Sequence, residues 1–125
     1  FAALLQAADI VSLHCPLTAD NRRMINAKTL AQMRQGAILI NTARGGLVDE
    51  SAVRNALESG HLGAAALDSF EIEPPPPDHP LRNTPRLTMT PHVGGVTSTA
   101  YVNMGIAAAR NIVSELQAGI MPSLR

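Results

Sequence analysis

The sequence predicts an α/β domain in which crossover helices connect the strands of a parallel sheet. Apolar runs that are too short for helices alternate along the chain with segments of helical period, and this alternation is typical of βαβ units. The runs are almost continuously apolar, which favours strands covered on both faces. Four strands are predicted, namely Ile10 to His14, Ala37 to Asn41, Ala64 to Asp68 and Leu87 to Thr90.

Capping signals place two helices between these strands. Asn26 is suited to begin a helix that runs through Met33 and that Gly36 closes, because an asparagine side chain accepts hydrogen bonds from the first backbone N–H groups. The same signals predict a helix from Asp49 through Ser59, closed by the next glycine. The opening FAALLQAA resembles the end of an amphipathic helix and lacks an initiator Met. We therefore expect a piece of a longer protein.

The last segment predicts one long helix with a single apolar stripe. Thr97 or Ser98 is suited to begin this helix, and Gly119 followed by Pro122 would end it. Apolar residues recur there at steps of three or four, at Val102, Ile106, Ala109, Val113 and Leu116. Such a stripe needs a surface to cover it.

Composition excludes several classes of protein. Ten basic residues balance ten acidic ones, and the aromatic residues are Phe1, Phe70 and Tyr101, so neither a basic groove nor a base-stacking platform for nucleic acid is evident. The single Cys15 cannot form an internal disulfide, and its neighbour His14 lacks the paired spacing of a zinc site. Apolar stretches fall short of the roughly 18 residues of a membrane helix. We expect a cytoplasmic protein that binds no metal, nucleic acid or membrane.

Polar residues follow three of the predicted strands. Arg44, Asp68, Glu73 and His92 all lie at or beyond the carboxyl ends of predicted strands, which is the edge where open parallel sheets bind ligands. A guanidinium can clamp a carboxylate, an imidazole can transfer a proton, and a carboxylate can orient that imidazole. Ordinary structural roles remain open: Arg44 as a turn residue, Asp68 as a strand-end cap, and Glu71 as an alternative to Glu73.

Four segments resemble the D-isomer-specific 2-hydroxyacid dehydrogenases, with phosphoglycerate dehydrogenase-like members nearest. They are ADIVSLHCPLT, GAILINTARGGLVDESAV, LESGHLGAAALDSFEIEPPP and LTMTPHVGG. The resemblance implies the C-terminal part of a Rossmann-like, doubly wound parallel sheet. Residues 1–96 would be the C-terminal part of an NAD-binding domain. Residues 97–125 would be a terminal helix and tail that belong to a substrate-binding domain outside this chain and return toward it.

The resemblance also implies roles for individual residues. Arg44 would bind the carboxylate or carbonyl oxygen of a 2-oxo acid, His92 would protonate the carbonyl oxygen, and Glu73 would pair with His92. Asp68 would accept a hydrogen bond from the cofactor carboxamide. The implied cofactor is NAD, with NADP not excluded, and its contacts would be His14, Cys15, Pro16, Thr42, Ala43, Arg44, Asp68, His92, Gly94 and Gly95.

The function so implied is hydride transfer between a nicotinamide cofactor and a D-2-hydroxy acid/2-oxo acid pair, in a parent that is a homodimer. The chain lacks the G-x-G-x-x-G sequence of the first βαβ unit, so we expect it to be inactive in isolation. The alternative is an NAD(H)-sensing, corepressor-like regulator that binds a protein partner.

Overall fold

A computed structural model describes residues 1–118, which fall into two compact units: one from Phe1 to Gly94 and one that begins at Gly95. The helices are α1 (Ala2–Ala7), α2 (Ala27–Leu30), α3 (Glu50–Glu58) and α4 (Ser98–Gln117). The strands are β1 (Ile10–Leu13), β2 (Ile38–Asn41), β3 (Ala64–Leu67) and β4 (Leu87–Met89). Two 3-10 helices occupy Gly45–Leu47 and Pro80–Asn83.

The four strands form one parallel sheet in the order β1-β2-β3-β4, which confirms the predicted α/β fold of Rossmann type. The register pairs Leu13 with Asn41, Asn41 with Leu67, and Leu67 with Met89. The last residues of all four strands are therefore paired side by side across the sheet. Every segment that leaves a strand begins at the same edge of the sheet.

Buried residues alternate with more exposed ones along the first three strands, so one face of the sheet is covered and the other is not. Leu39 is fully buried in the main core with Leu5, Val53 and Leu57, whereas Ile10 is 57% exposed. The other residues on the face of Ile10 are exposed or only half-buried. The expectation that both faces are covered is therefore wrong for residues 1–118, because these residues supply a packed core for one face of the sheet.

The short helix α2 begins where predicted but ends early. Asn26 accepts hydrogen bonds from the backbone of Lys28 and Thr29, and the Thr29 side chain accepts one from the Asn26 backbone, which is a capping box. The helix ends at Leu30 rather than Met33. The backbone N–H of Met33 donates to the Leu30 oxygen, three residues back, so the chain tightens into turns.

Helix α3 agrees with its predicted bounds. The Asp49 side chain accepts a hydrogen bond from the Ala52 backbone, and Ser59 caps the end. The pKa of Asp49 lies below its usual value, mainly because the Ser51 hydroxyl donates to the carboxylate. Gly60 follows with a φ of 75°, a left-handed conformation that glycine adopts without a Cβ penalty.

Helix α4 begins at Ser98, with the Thr97 side chain accepting a hydrogen bond from the Ala100 backbone. None of its residues is buried. The predicted stop at Gly119 and Pro122 lies outside the described residues. Among residues 1–118, no helix combines the length and the apolar character that crossing a membrane requires.

Candidate active site

Asn41 shapes the turn that presents Arg44. This asparagine ends β2 and is fully buried; its Oδ1 accepts a hydrogen bond from the Ala43 backbone at 3.0 Å, and its Nδ2 donates to the Arg44 carbonyl at 2.9 Å. The Arg44 side chain is exposed and donates to the Ala43 carbonyl at 2.7 Å. Sequence reasoning missed Asn41. The available signal was a polar residue closing an otherwise apolar strand.

Gly45 lets two connecting segments touch through their backbones. A Cβ at Gly45 would lie 1.9 Å from the carbonyl carbon of Phe70 and 2.5 Å from the nitrogen of Glu71. A larger residue would therefore push the segment after β2 away from the segment after β3. This close approach brings Arg44 beside the residues that follow Phe70.

Glu73 and His92 form the predicted carboxylate–imidazole pair. The Glu73 Oε2 lies 2.8 Å from the His92 Nδ1, and the Phe70 backbone donates to the Glu73 Oε1 at 2.8 Å. Burial raises the pKa of Glu73, but the hydrogen bonds from His92 and Phe70 and the charges of His92 and Arg44 together bring it below its usual value. The carboxylate is therefore ionised at neutral pH.

The alternative carboxylate, Glu71, has different partners. Its side chain forms ion pairs with Arg22 at 2.8 Å and Arg23 at 3.1 Å. Its backbone N–H donates to the Glu50 Oε1 at 2.9 Å. Of the two carboxylates, Glu73 is the one that contacts His92.

Asp68 anchors the loop that carries His92. Its carboxylate accepts hydrogen bonds from the Thr90 hydroxyl at 2.5 Å, the Val93 backbone at 2.9 Å and the Gly94 backbone at 2.8 Å. Burial raises the pKa of Asp68, yet these three bonds outweigh it and the pKa lies below its usual value. A Cβ at Gly94 would lie 2.8 Å from the Asp68 Oδ2, so this glycine fits tightly against the carboxylate.

One open cavity of about 420 Å³ brings the predicted catalytic residues together. Arg44, Glu73 and His92 all line it. The remaining lining residues are Leu17, Arg22, Gly45, Gly46, Phe70 and Glu71. The cavity thus combines anion-binding guanidinium groups with an imidazole held by a carboxylate, which is a set suited to binding an acid and moving a proton.

The other predicted cofactor contacts lie outside this cavity. After β1, the Ser12 hydroxyl and the His14 Nε2 are 2.8 Å apart, and the Asn21 amide donates to the Pro16 carbonyl at 2.7 Å. Cys15 is half-buried and Thr42 is exposed. Ala43 and Gly94 are placed by Asn41 and Asp68, as described above. Gly95 belongs to the second unit, where a Cβ would meet open space.

These segments fit one part of a dinucleotide site. The residues after β1, β2, β3 and β4 meet at one edge of a parallel sheet, where such cofactors bind. Gly94 packs tightly against the Asp68 carboxylate, which accepts three hydrogen bonds and can accept one more. The sequence carries no glycine-rich fingerprint for the diphosphate. The described residues therefore provide some of the groups that a dinucleotide site needs.

Comparison with known proteins gives consistent matches. Residues 1–94 match the family model of the D-isomer specific 2-hydroxyacid dehydrogenase NAD binding domain. The chain is 46% identical over 121 residues to a putative 2-hydroxyacid dehydrogenase of Haemophilus influenzae, covering 94% of this chain and 38% of that protein. It is 42% identical to a D-3-phosphoglycerate dehydrogenase of Bacillus subtilis, covering 90% of this chain and 21% of that protein.

A solved structure agrees with these matches. The TT0316 protein of Thermus thermophilus superposes with a TM-score of 0.89 at 45% identity, covering 94% of this chain and 37% of that one. The chain thus spans less than two fifths of the length of these relatives. The extent of the family match and the identities nonetheless decide the family. This chain belongs to the D-isomer specific 2-hydroxyacid dehydrogenases, and its residues 1–94 are part of their NAD-binding domain.

Proposed function

We propose that this chain is the C-terminal part of the NAD-binding domain of a D-2-hydroxyacid dehydrogenase and carries its proton-transfer machinery. The observation that supports this most directly is the 2.8 Å contact between the Glu73 Oε2 and the His92 Nδ1, in a cavity that Arg44 also lines. An anion-binding guanidinium, a proton donor and an orienting carboxylate are the groups that reduction of a 2-oxo acid needs from the protein.

In this proposal His92 gives a proton to the carbonyl oxygen of the 2-oxo acid. Glu73 occupies the Nδ1 of the ring, which leaves the Nε2 as the nitrogen that faces the substrate. The ionised Glu73 accepts a hydrogen bond from Nδ1 and so fixes the orientation of the ring. In the direction of oxidation, the neutral ring takes the hydroxyl proton of the 2-hydroxy acid.

Arg44 binds the substrate carboxylate. A guanidinium donates two parallel hydrogen bonds to such an anion, and this fixes the orientation of the acid as well as its position. Asn41 and Gly45 hold the turn of Arg44 against the segment of Glu73. The anion site and the proton donor therefore keep a constant separation.

A bound nicotinamide cofactor would supply the hydride. The residues that would hold it are those after β1 and β2 (His14, Cys15, Pro16, Thr42 and Ala43) together with Asp68, Gly94 and Gly95. NADP is an alternative to NAD, because the acidic residue that distinguishes the two belongs to the first βαβ unit of the family. We also propose that residues 97–125 belong to the substrate-binding domain of a cytoplasmic homodimer.

The test is NADH oxidation by the longer protein that contains this chain, against a panel of 2-oxo acids, with the 125-residue chain assayed beside it. We expect turnover by the longer protein alone. His92→Ala and Arg44→Ala should each remove most of that turnover. Arg54→Ala should not, because Arg54 lies on α3 and pairs at the surface with Glu58.

Two outcomes would contradict the proposal. One is near-normal turnover in the His92 or Arg44 variant. The other is a longer protein that turns over none of the 2-oxo acids. If that inactive protein captured a protein partner only when NAD(H) was present, the corepressor-like regulator would be favoured instead.

A further inference from the structure

A second carboxylate–imidazole pair lies behind the segment that carries Glu73. Glu50 is the first residue of α3, and its Oε2 lies 3.1 Å from the His79 Nε2. The two side chains are only 16% and 10% exposed, against 36% and 42% for Glu73 and His92. Neither Glu50 nor His79 lines the cavity of Arg44.

Hydrogen bonds determine which nitrogen of His79 carries the proton. The His79 Nδ1 accepts a hydrogen bond from the Leu81 backbone N–H at 3.3 Å. That nitrogen is therefore unprotonated, so the proton is on Nε2 and is donated to Glu50. The same ring forms a T-shaped pair with Phe70, with ring centroids 6.3 Å apart.

Glu50 also holds the backbone between the two pairs. Its Oε1 accepts a hydrogen bond from the Glu71 N–H at 2.9 Å, and the neighbouring Phe70 N–H donates to the Glu73 Oε1 at 2.8 Å. Two successive peptide N–H groups thus bond to Glu73 on one hand and Glu50 on the other. The position of the Glu73 carboxylate depends on the backbone that Glu50 holds.

The other anchor of this segment is weaker. The ion pairs of Glu71 with Arg22 and Arg23 involve arginines that are more than half exposed, and exposed pairs contribute little to stability. A partly buried carboxylate that accepts two hydrogen bonds is more costly to disturb. Arg82 holds the proline run after Glu73 through the Pro75 and Pro76 carbonyls, at 2.8 and 2.9 Å. Glu50 is the less exposed carboxylate that bonds directly to the Glu71 backbone.

We propose that Glu50 and His79 are positioning residues that orient the Glu73–His92 pair for proton transfer. This inference rests on the proposed function. Glu50 acts through the Phe70–Glu71 backbone on Glu73, and Glu73 acts on His92. Loss of the restraint should lower kcat, which depends on the orientation of His92, more than KM, which depends on Arg44.

Glu50→Gln is the sharpest variant. Each oxygen of Glu50 accepts one hydrogen bond, so an amide places a donor against either the Glu71 N–H or the His79 Nε2 proton. A change of tautomer at His79 cannot relieve this, because the Nδ1 proton would then face the N–H of Leu81. The matched control is Glu58→Gln, the same change on the same helix in an exposed pair.

The experiment measures kcat and KM of the longer protein with NADH and its best 2-oxo acid. We expect Glu50→Gln to lower kcat about tenfold, since small errors in orientation are costly in proton transfer, with KM nearly unchanged. In a Glu73→Gln background the same change should have almost no further effect on kcat, because residues that act in series are not additive.

His79 provides a test that does not depend on Glu50 variants folding. His79→Leu should lower kcat as Glu50→Gln does, whereas His79→Gln should restore it, because the glutamine amide places a donor near the position of Nε2. Wild-type turnover combined with an unchanged kcat in Glu50→Gln or His79→Leu would overturn the positioning role alone. The positioning role would also be overturned if Glu50→Gln lowered kcat equally in the wild-type protein and in the Glu73→Gln background. A wild-type protein without turnover would overturn this inference together with the proposed function.

Discussion

The connection between β3 and β4 contributes one member to each of two carboxylate–imidazole pairs that differ in their surroundings. Glu73 pairs with His92 at the open cavity, and His79 pairs with Glu50 where both side chains are nearly buried. The distances are similar, at 2.8 and 3.1 Å. The two imidazoles nevertheless differ in the chemistry that they can perform.

The partner of the second ring nitrogen distinguishes the two histidines. In His79 the Leu81 backbone occupies Nδ1, so both nitrogens are engaged within the protein. In His92 only Nδ1 is engaged by residues 1–118, and Nε2 has no protein partner there. One imidazole is therefore placed to exchange a proton with a ligand, whereas the other is a fixed structural donor.

The largest effect that we expect is on kcat, when each histidine is replaced by glutamine in turn and the two variants are compared. His92→Gln removes the group that transfers a proton and should lower kcat by about 10²- to 10⁴-fold. His79→Gln keeps the hydrogen bond to Glu50 and should leave kcat within a few fold of the wild type. Steady-state kinetics of the longer protein measure both. Equal losses in the two variants would remove the distinction between the pairs.

A second prediction concerns the buried carboxylate behind His92. Asp68→Asn replaces one acceptor oxygen with a donor, although three donors face this carboxylate. The variant should lose about 1 to 3 kcal/mol in the free energy of unfolding, the usual cost of a buried group without a partner. Denaturant unfolding measures it. Asp20→Asn is the control, because Asp20 is exposed, and an equal loss there would contradict the prediction.

A third prediction follows from the lowered pKa values of Glu73 and Asp68. As pH falls, the unfolded chain takes up protons at the usual values of 4.5 and 3.8 before the folded chain does. The stability that these groups contribute is therefore fully present above those values and is lost as pH falls through the lower, folded pKa values. Tm measured below about pH 5, where histidines are already charged in the unfolded chain, should fall on acidification.

The Asp68→Asn variant tests whether Asp68 contributes to this fall in Tm. The variant should show a smaller fall in Tm over the same range, because one of the two carboxylates no longer titrates. If Tm of the wild type were constant or rose on acidification, the lowered pKa values would not govern stability.

The comparison of the two pairs also shows what sequence reasoning could reach. The strand–helix alternation predicted the parallel sheet, and the polar residues after the strands predicted the edge at which Arg44, Glu73 and His92 meet. The pair of Glu50 and His79 was not predicted, because neither residue directly follows a predicted strand and each was an ordinary polar residue. Burial and the choice of hydrogen-bond partner arise only when the chain is folded.

The cover of the sheet was predicted wrongly for a related reason. Apolar runs such as the one around Leu39 indicate that both faces of a strand are suited to burial, but they do not indicate which residues cover each face. Residues 1–118 supply it for one face, which leaves Ile10 exposed. Asn41 was missed because a single polar residue at a strand end has no periodic signal. Its role depends on the turn that it bonds to.

The smallest effect we expect tests how a hydrogen-bond partner changes the contribution of a polar side chain to stability. The Ser69 hydroxyl is buried, and residues 1–118 give it no hydrogen-bond partner. Ser69→Ala should therefore raise the free energy of unfolding by about 1 kcal/mol, because the desolvated hydroxyl is removed and no bond is lost. Ser51→Ala should lower it, since the Ser51 hydroxyl donates to Asp49 at 2.6 Å. Both are measured by denaturant unfolding. A loss of stability in Ser69→Ala would show that this hydroxyl does have a hydrogen-bond partner. Ser69, like His79, would then be a side chain that stabilises the fold through its hydrogen bonds.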